Sequence, residues 1–498
     1  MLVLAFLCAS PAAVRAGTTY FWDADGGSGA PNTLNYGSGT ISTSSSNWWN
    51  TNGTYNGWSN SSADVMQIGS NSAQDGRSYT GGSSAASFTL TLSGSITLGE
   101  IVISGNLSSG SANSVTFTDG GTAGNDMTFG GAEEINNNSP NTLIIDTTIV
   151  SAGGTFLFED LGTTILTKNN GWTTGTTIEG DGSSASGGIL QVGNGGTTGA
   201  LGTGQIQFPL ALSQTTAATL DFDRSNADSV PNSINILTSN TVGAIIEQSG
   251  SNTLTLTGTE NISSSSATLT YMIAPTGQTI DAAVNAAISG AGGIAKSGSG
   301  TLSLSGDDTY TGATTVNSGT LLVSGSITGA GAVNVNSTSM LGGSGSLAGA
   351  TTVAGGGTLY PGARTSSTTT LTINDNVSFQ SGSTFEVNLN NSGGSDLLNI
   401  TGASNTLSFA GTDTLTGNLL NGSLGNFPYI IATAPGNNSI PTYTNLTDTI
   451  ANTTLTVANI GGNTDLELVA VPEPGTWAVL LSGFGALWGI QRTRRRRF

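Results

Sequence analysis

The chain has 498 residues, a formal net charge of −19, no histidine and one cysteine. The missing histidine excludes Ser-His-Asp and Cys-His catalysis and histidine-based metal sites. Between residues 17 and 471 only Arg77, Lys168, Arg224, Lys296 and Arg364 are basic, against 29 acidic residues, a net charge of about −24. No nucleic-acid partner is expected, because nothing there can neutralise phosphates.

Charged residues make up 8% of the chain and glycine supplies 74 positions. Such a composition could mean disorder, but the 36% of hydrophobic residues fall at every second position in many short runs, which is the strand period.

At the N-terminus, an apolar run from Leu2 to Cys8 is followed by Val14-Arg15-Ala16. Small or β-branched residues three and one before the cut predict a signal peptide over 1–16 with cleavage after Ala16. No basic residue precedes the run, a departure from the usual signal. Cleavage removes Cys8, so the mature chain has neither disulfides nor thiolate chemistry.

Residues 17–80 hold Trp22, Trp48, Trp49 and Trp58, with Tyr20, Phe21, Tyr36 and Tyr55. The expected role is an N-terminal cap over the open end of a solenoid. The alternative is an aromatic platform on which sugar rings stack. Phe21-Trp22-Asp23 and Asn47-Trp48-Trp49 resemble the tryptophan-rich segment that precedes passenger-type repeats.

Residues 81–369 are repetitive. Ser249–Gly258 (SGSNTLTLTG) returns as Ser297–Gly306 (SGSGTLSLSG), which continues through Tyr310, Val316 and Leu321 to Val323. Looser echoes occur at Gly171–Ile178 with Gly188–Val192, and at Thr351–Leu359. The unit is a few alternating strand residues, a glycine turn and another strand. Gly300–Val323 resembles the autotransporter-associated β-strand repeat of passenger domains. That resemblance implies an all-β fold, a right-handed parallel β-helix. Chain physics agrees: one coil cannot bury its apolar face alone, so coils must stack, with Thr, Ser and Asn outward. A series of β-sandwiches is the alternative. Residues 370–470, with longer alternating runs such as Thr384–Leu389, form a C-terminal β-helix or cap region.

Residues 471–498 join Pro472-Glu473-Pro474, an apolar stretch predicted as a transmembrane helix over 475–491, and a tail carrying Arg492, Arg494, Arg495, Arg496 and Arg497. The order resembles the PEP-CTERM sorting signal of exported bacterial proteins. The prolines favour extended backbone, the apolar run can satisfy its backbone within a bilayer as a helix, and the arginines hold the cytoplasmic side. The resemblance implies an exosortase-type protease as processing partner and inner-membrane anchoring before cleavage.

Carboxylates are the remaining route to enzymatic chemistry. Asp221-Phe222-Asp223-Arg224 sits on a predicted strand, where the period of two puts Asp221 and Asp223 on one face, able to hold a cation or to divide acid and base roles. The competing reading is a solvated face with a local ion pair. Asp307-Asp308 reads as a turn former, and Glu133-Glu134 as a solvated loop pair. Asp23-Ala24-Asp25-Gly26 lacks most ligands of a Ca²⁺ loop. No catalytic residue, metal site or cofactor is therefore assigned, a bound Ca²⁺ being the one alternative the acids leave open. The expectation is a non-enzymatic, surface-associated structural or adhesion-type protein that works with extracellular polysaccharide. The alternative is a carboxylate-based polysaccharide lyase or hydrolase.

Overall fold

A computed structural model describes residues 18–22, 33–34, 38–44, 47–50, 54–56, 58–68, 78–79, 87–104, 114–138, 140–151, 153–180, 187–209, 215–362, 367–420, 424, 427–436 and 439–471. The predicted signal at 1–16 with Ala16, the acidic loop at Asp23 and Asp25, and the whole sorting segment from Pro472 onward lie outside the described residues. Among the described residues there is no α-helix, and no helix is long and apolar enough to cross a membrane. The fold is all-β, and the chain divides into two compact units, 1–312 and 313–498.

In the first unit the period-2 pattern does what it predicts. Phe88–Leu92 (FTLTL) buries Phe88, Leu90 and Leu92 and leaves Thr89 exposed. Its partner is the parallel strand Ser114–Thr118, which pairs in turn with Thr142–Asp146. The register runs on through Thr163–Leu166, Ile189–Gly196 and Ala218–Arg224, so Leu90, Phe117, Ile145, Leu166, Val192 and Phe222 form one column of buried side chains. A second parallel stack is visited between these strands, including Met127–Asn138, Phe156–Asp160 and Thr176–Gly180. The chain returns to this second stack after as few residues as Phe156 to Thr176, or as many as Thr19 to Val65.

From Asp228–Val230 onward a third parallel stack joins each circuit, followed by Leu254–Leu256, Ala282–Val284 and Thr301–Leu304. Parallel strands need long connections. Here each connection is the rest of a coil, an arrangement consistent with a β-helix solenoid. Burial of each Val, Leu, Ile or Phe contributes roughly 1.5–3 kcal/mol. Phe129, Phe156 and Trp172 thicken this core, with ring centroids 4.8 and 5.0 Å apart. On the outside, polar side chains link coil to coil: the Ser305 hydroxyl donates to Asn285 Oδ1 at 3.0 Å.

The tryptophans near the N-terminus pack on one another. Thr19–Trp22 pairs antiparallel with Trp48–Asn50, and ring centroids lie 5.1 Å apart for Trp22 and Trp48 and 5.2 Å for Trp48 and Trp58. Trp22, Trp48 and Trp58 are at most 2% exposed. Their faces are used inside the protein and offer no platform for a sugar.

Three parallel stacks run through the second unit. Thr314–Val316 lies in one, Gly319–Val323 in another and Ser326–Ile327 in the third. The third stack ends differently: Pro428–Pro435 pairs antiparallel with Asn463–Ala470, which pairs antiparallel with Thr453–Ile460. The Gly461-Gly462 turn that joins the last two strands has φ of 62° and 89°. Positive φ at both central positions is what a two-residue hairpin loop requires.

Several acidic residues depart from the sequence expectation. Glu133 and Glu134 are buried rather than solvated. They lie within the strand Met127–Asn138, at a register irregularity between Phe129 and Glu134, where Glu133 takes φ 51°. The Glu133 carboxylate accepts hydrogen bonds from Ser151 Oγ (2.6 Å) and from the amides of Gly153 (3.1 Å) and Gly154 (2.9 Å). It closes a turn from the inside. Asp308 is likewise buried, and its carboxylate accepts the Ile288 amide at 2.8 Å.

Candidate functional site

The strand Ala218–Arg224 alternates as its sequence requires. Leu220 and Phe222 enter the core, while Thr219, Asp221 and Asp223 take the other face. Asp221 is in register with Gln191 on one side and Glu247 on the other. Ser249 Oγ lies 2.7 and 2.8 Å from the two Asp221 carboxylate oxygens. Burial pushes the Asp221 carboxyl up to about 6 against the lowering effect of the Ser249 hydroxyl, and the Glu247 and Asp223 charges push it the same way as burial. Asp223 accepts from Gln191 Nε2 at 3.3 Å.

Arg224 does not join these acids. Its Nη1 donates to Asp228 Oδ1 at 2.6 Å, with both side chains largely buried, and its Nη2 donates to the Thr197 carbonyl at 3.2 Å. The structure thus brings Asp221 and Asp223 to one face and directs the arginine elsewhere. Asp221 can hold a proton near pH 6, but serine hydrogen bonds already occupy its oxygens. Among the described residues no group of three or more acidic or cysteine side chains is arranged to hold a metal ion.

The Thr197 contact of Arg224 supports a feature that sequence reading did not find. After Val192 the strand Ile189–Gly196 leaves its register with Ala218–Arg224 and regains it only at Gly196, opposite Arg224. The segment 193–200 therefore stands proud of the sheet. The Ser225 amide donates to the Gly196 carbonyl at 2.8 Å, and the Gly199 amide donates to Asn169 Oδ1 at 3.1 Å. Gly199 has φ 111°, and a Cβ there would come 2.5 Å from the Gly193 nitrogen, so only glycine fits. A small cavity of about 120 Å³ lies against this segment, lined in part by Leu201, Phe222, Pro231 and the Arg224–Asp228 pair.

Also against this wall is a groove of about 320 Å³, lined by Thr116, Ile144, Asp146 and Thr167 together with Asn194, Gly196 and Thr198. Thr167 Oγ1 donates to Asp146 Oδ1 at 2.7 Å and Thr118 Oγ1 to Asp146 Oδ2 at 3.2 Å. Lys168 Nζ sits 3.5 Å from Asp146 and 3.4 Å from Asp119. Burial disfavours the Lys168 cation, yet the Asp146 and Asp119 carboxylates outweigh it and hold the ammonium above the usual lysine value. The three charges sum to −1. The sequence signal for this site is weak: an outward isoleucine in a face of threonines, and the glycine-rich run Gly193-Asn194-Gly195-Gly196 that lets the wall bulge.

Residues 294–323 match the family model of the passenger-associated-transport-repeat. The match falls on the stretch that carries the clearest sequence repeat and spans five short strands, from Gly293–Ser297 to Gly319–Val323. No curated protein matches the chain. A repeat of this family, set in stacked parallel strands, points to an autotransporter-like passenger, an exported and surface-associated protein.

Proposed function

We propose that the protein is an exported structural or adhesion-type right-handed β-helix, sorted by an exosortase-type system and working at the cell surface with extracellular polysaccharide. The passenger-repeat match at 294–323 is the observation that carries this reading. Stacks of parallel strands support it, because a coil with no helix presents long outer faces on which polar side chains repeat. The right hand of the coil follows from the strong preference of crossovers between parallel strands. The sorting step rests on sequence alone: Pro472-Glu473-Pro474 as the recognised motif, 475–491 held transiently in the inner membrane, and Arg492 with Arg494–Arg497 retained on the cytoplasmic side.

Mass spectrometry of both termini of the protein from its native producer tests the reading. An N-terminus at Gly17 and a C-terminus near Val471–Pro474 are expected. A chain ending at Phe498 would make the tail a plain tether and remove the exosortase.

A carboxylate-based polysaccharide lyase or hydrolase is the second reading, and the raised proton affinity of Asp221 beside Asp223 is what favours it. Loss of a sugar-cleaving activity in the Asp221→Asn and Asp223→Asn variants would establish it over the structural role.

A further inference from the structure

We propose that the groove between Ile144 and the 193–200 wall binds a short segment of a neutral glycan. The inference rests on the polysaccharide reading above and specifies the site and the class of sugar.

Charge decides the class. Asp146 is the charged residue of the lining, its neighbours Lys168 and Asp119 leave the cluster at −1, and the body of the chain is acidic. An acidic polysaccharide would be repelled, and the Lys168 ammonium is already committed to two carboxylates. A neutral sugar carries hydroxyls that both donate and accept. The lining answers with the Thr116 and Thr198 hydroxyls and the Asn194 amide, beside Thr167 and Asp146, which hold each other at 2.7 Å. Ile144 supplies the apolar floor that the C–H face of a sugar ring needs. At about 320 Å³ the groove stands at the lower end of ligand-site volumes, room for a few rings rather than a large ligand.

A peptide strand fits less well. The floor strands Ser114–Thr118 and Thr142–Asp146 are paired on both edges, so no free edge is offered for strand addition. The wall is also set before any ligand arrives, held by Arg224 at Thr197 and by Asn169 at Gly199, which limits the ordering cost of binding.

Titration calorimetry of the full chain with cellotetraose, mannotetraose, isomaltotetraose and tetragalacturonate tests the proposal. Gly196→Trp is the blocking variant: Gly196 lines the groove, has no left-handed φ, and a Cβ there meets nothing within 4 Å. Ile144→Ala, which removes the floor, is the second variant should the tryptophan disturb folding. At least one neutral tetrasaccharide is expected to bind, with affinity falling tenfold or more in either folded variant and the melting temperature of Gly196→Trp unchanged. Tighter binding of tetragalacturonate would overturn the neutral class. Equal binding of an uncharged Gly-Ser-Asn-Gly peptide would reassign the groove to protein. Neutral binding that both variants leave intact would remove the groove while keeping the polysaccharide reading. No binding of any sugar would remove both.

Discussion

The Tyr271 hydroxyl donates to the Glu260 carboxylate deep inside the first unit, at a level where other coils place aliphatic side chains. Glu260 occupies the column position that Ile206, Ile234 and Ile288 fill in other coils. Tyr271 stands in the column of Leu220 and Ile246. One polar substitution in each of two facing columns thus makes a matched pair, and burying a carboxyl requires such a partner. Asp308 lies close enough that its charge also raises the proton affinity of Glu260.

This arrangement fixes the direction of the pH dependence. Burial pushes Glu260 up to about 8, Asp308 to about 7 and Asp396 of the second unit to about 6. Between the ordinary carboxyl range and these values the folded chain keeps protons that the unfolded chain has lost. Stability from these groups is complete below about pH 4 and declines as pH rises toward 8. Lys296, pushed down to about 8 by burial, acts in the opposite sense only above that pH. Urea midpoints are expected to fall from pH 5 to pH 8, with a shallower fall in Glu260→Gln. A midpoint that climbs over this range would contradict the buried acids.

Arg224 and Asp228 form a pair whose side chains are 14% and 10% exposed. Removing the arginine alone leaves a buried carboxylate without its cation. Arg224→Ala is expected to cost about 3–5 kcal/mol, and the double replacement Arg224→Met with Asp228→Leu much less. Urea unfolding of the three proteins checks this, and equal losses in the single and double variants would argue against the pair.

Glu133 combines a left-handed backbone with a carboxylate that receives one hydroxyl and two amides. Glu133→Ala keeps the unfavourable φ and loses all three bonds, for an expected loss of roughly 1.5–3 kcal/mol. Stacked coils can open locally. Hydrogen exchange at Gly153 and Gly154 is therefore the sharper measurement, and unchanged protection there would refute the role.

Gly199→Ala should disturb the groove wall without touching the core. With φ at 111° and a Cβ 2.5 Å from the Gly193 nitrogen, alanine forces the wall to move, at a cost on the order of 1–3 kcal/mol. The expected signature is faster amide exchange over 193–200, with protection of Phe117 and Ile145 retained. Loss of protection at both would mean that the wall and the core form one cooperative unit.

The alternation of FTLTL at Phe88–Leu92 was enough to read strands with aliphatic interiors, since a period of two admits one buried face, while the parallel coil came from the resemblance of Gly300–Val323 to the passenger repeat. The same alternation put Asp221 and Asp223 together. It could not place Arg224, because an arginine side chain is long enough to leave its strand, and its partner Asp228 lies beyond a turn. Glu133 read as a solvated loop acid and Asp308 as a turn former, and nothing singled out Glu260, because sequence shows their charge but not the hydrogen-bond donors that come from other coils or from across the core.

By itself, then, the sequence determined the strand period, the repeating unit, the acidic charge and the absence of histidine. These are local or additive properties of the chain. Tertiary structure alone decided which columns carry Glu260 and Tyr271, where the 193–200 wall rises and which charges meet at Lys168. Each of those depends on register between strands some 20 to 35 residues apart, set by how many residues each turn of the coil happens to use.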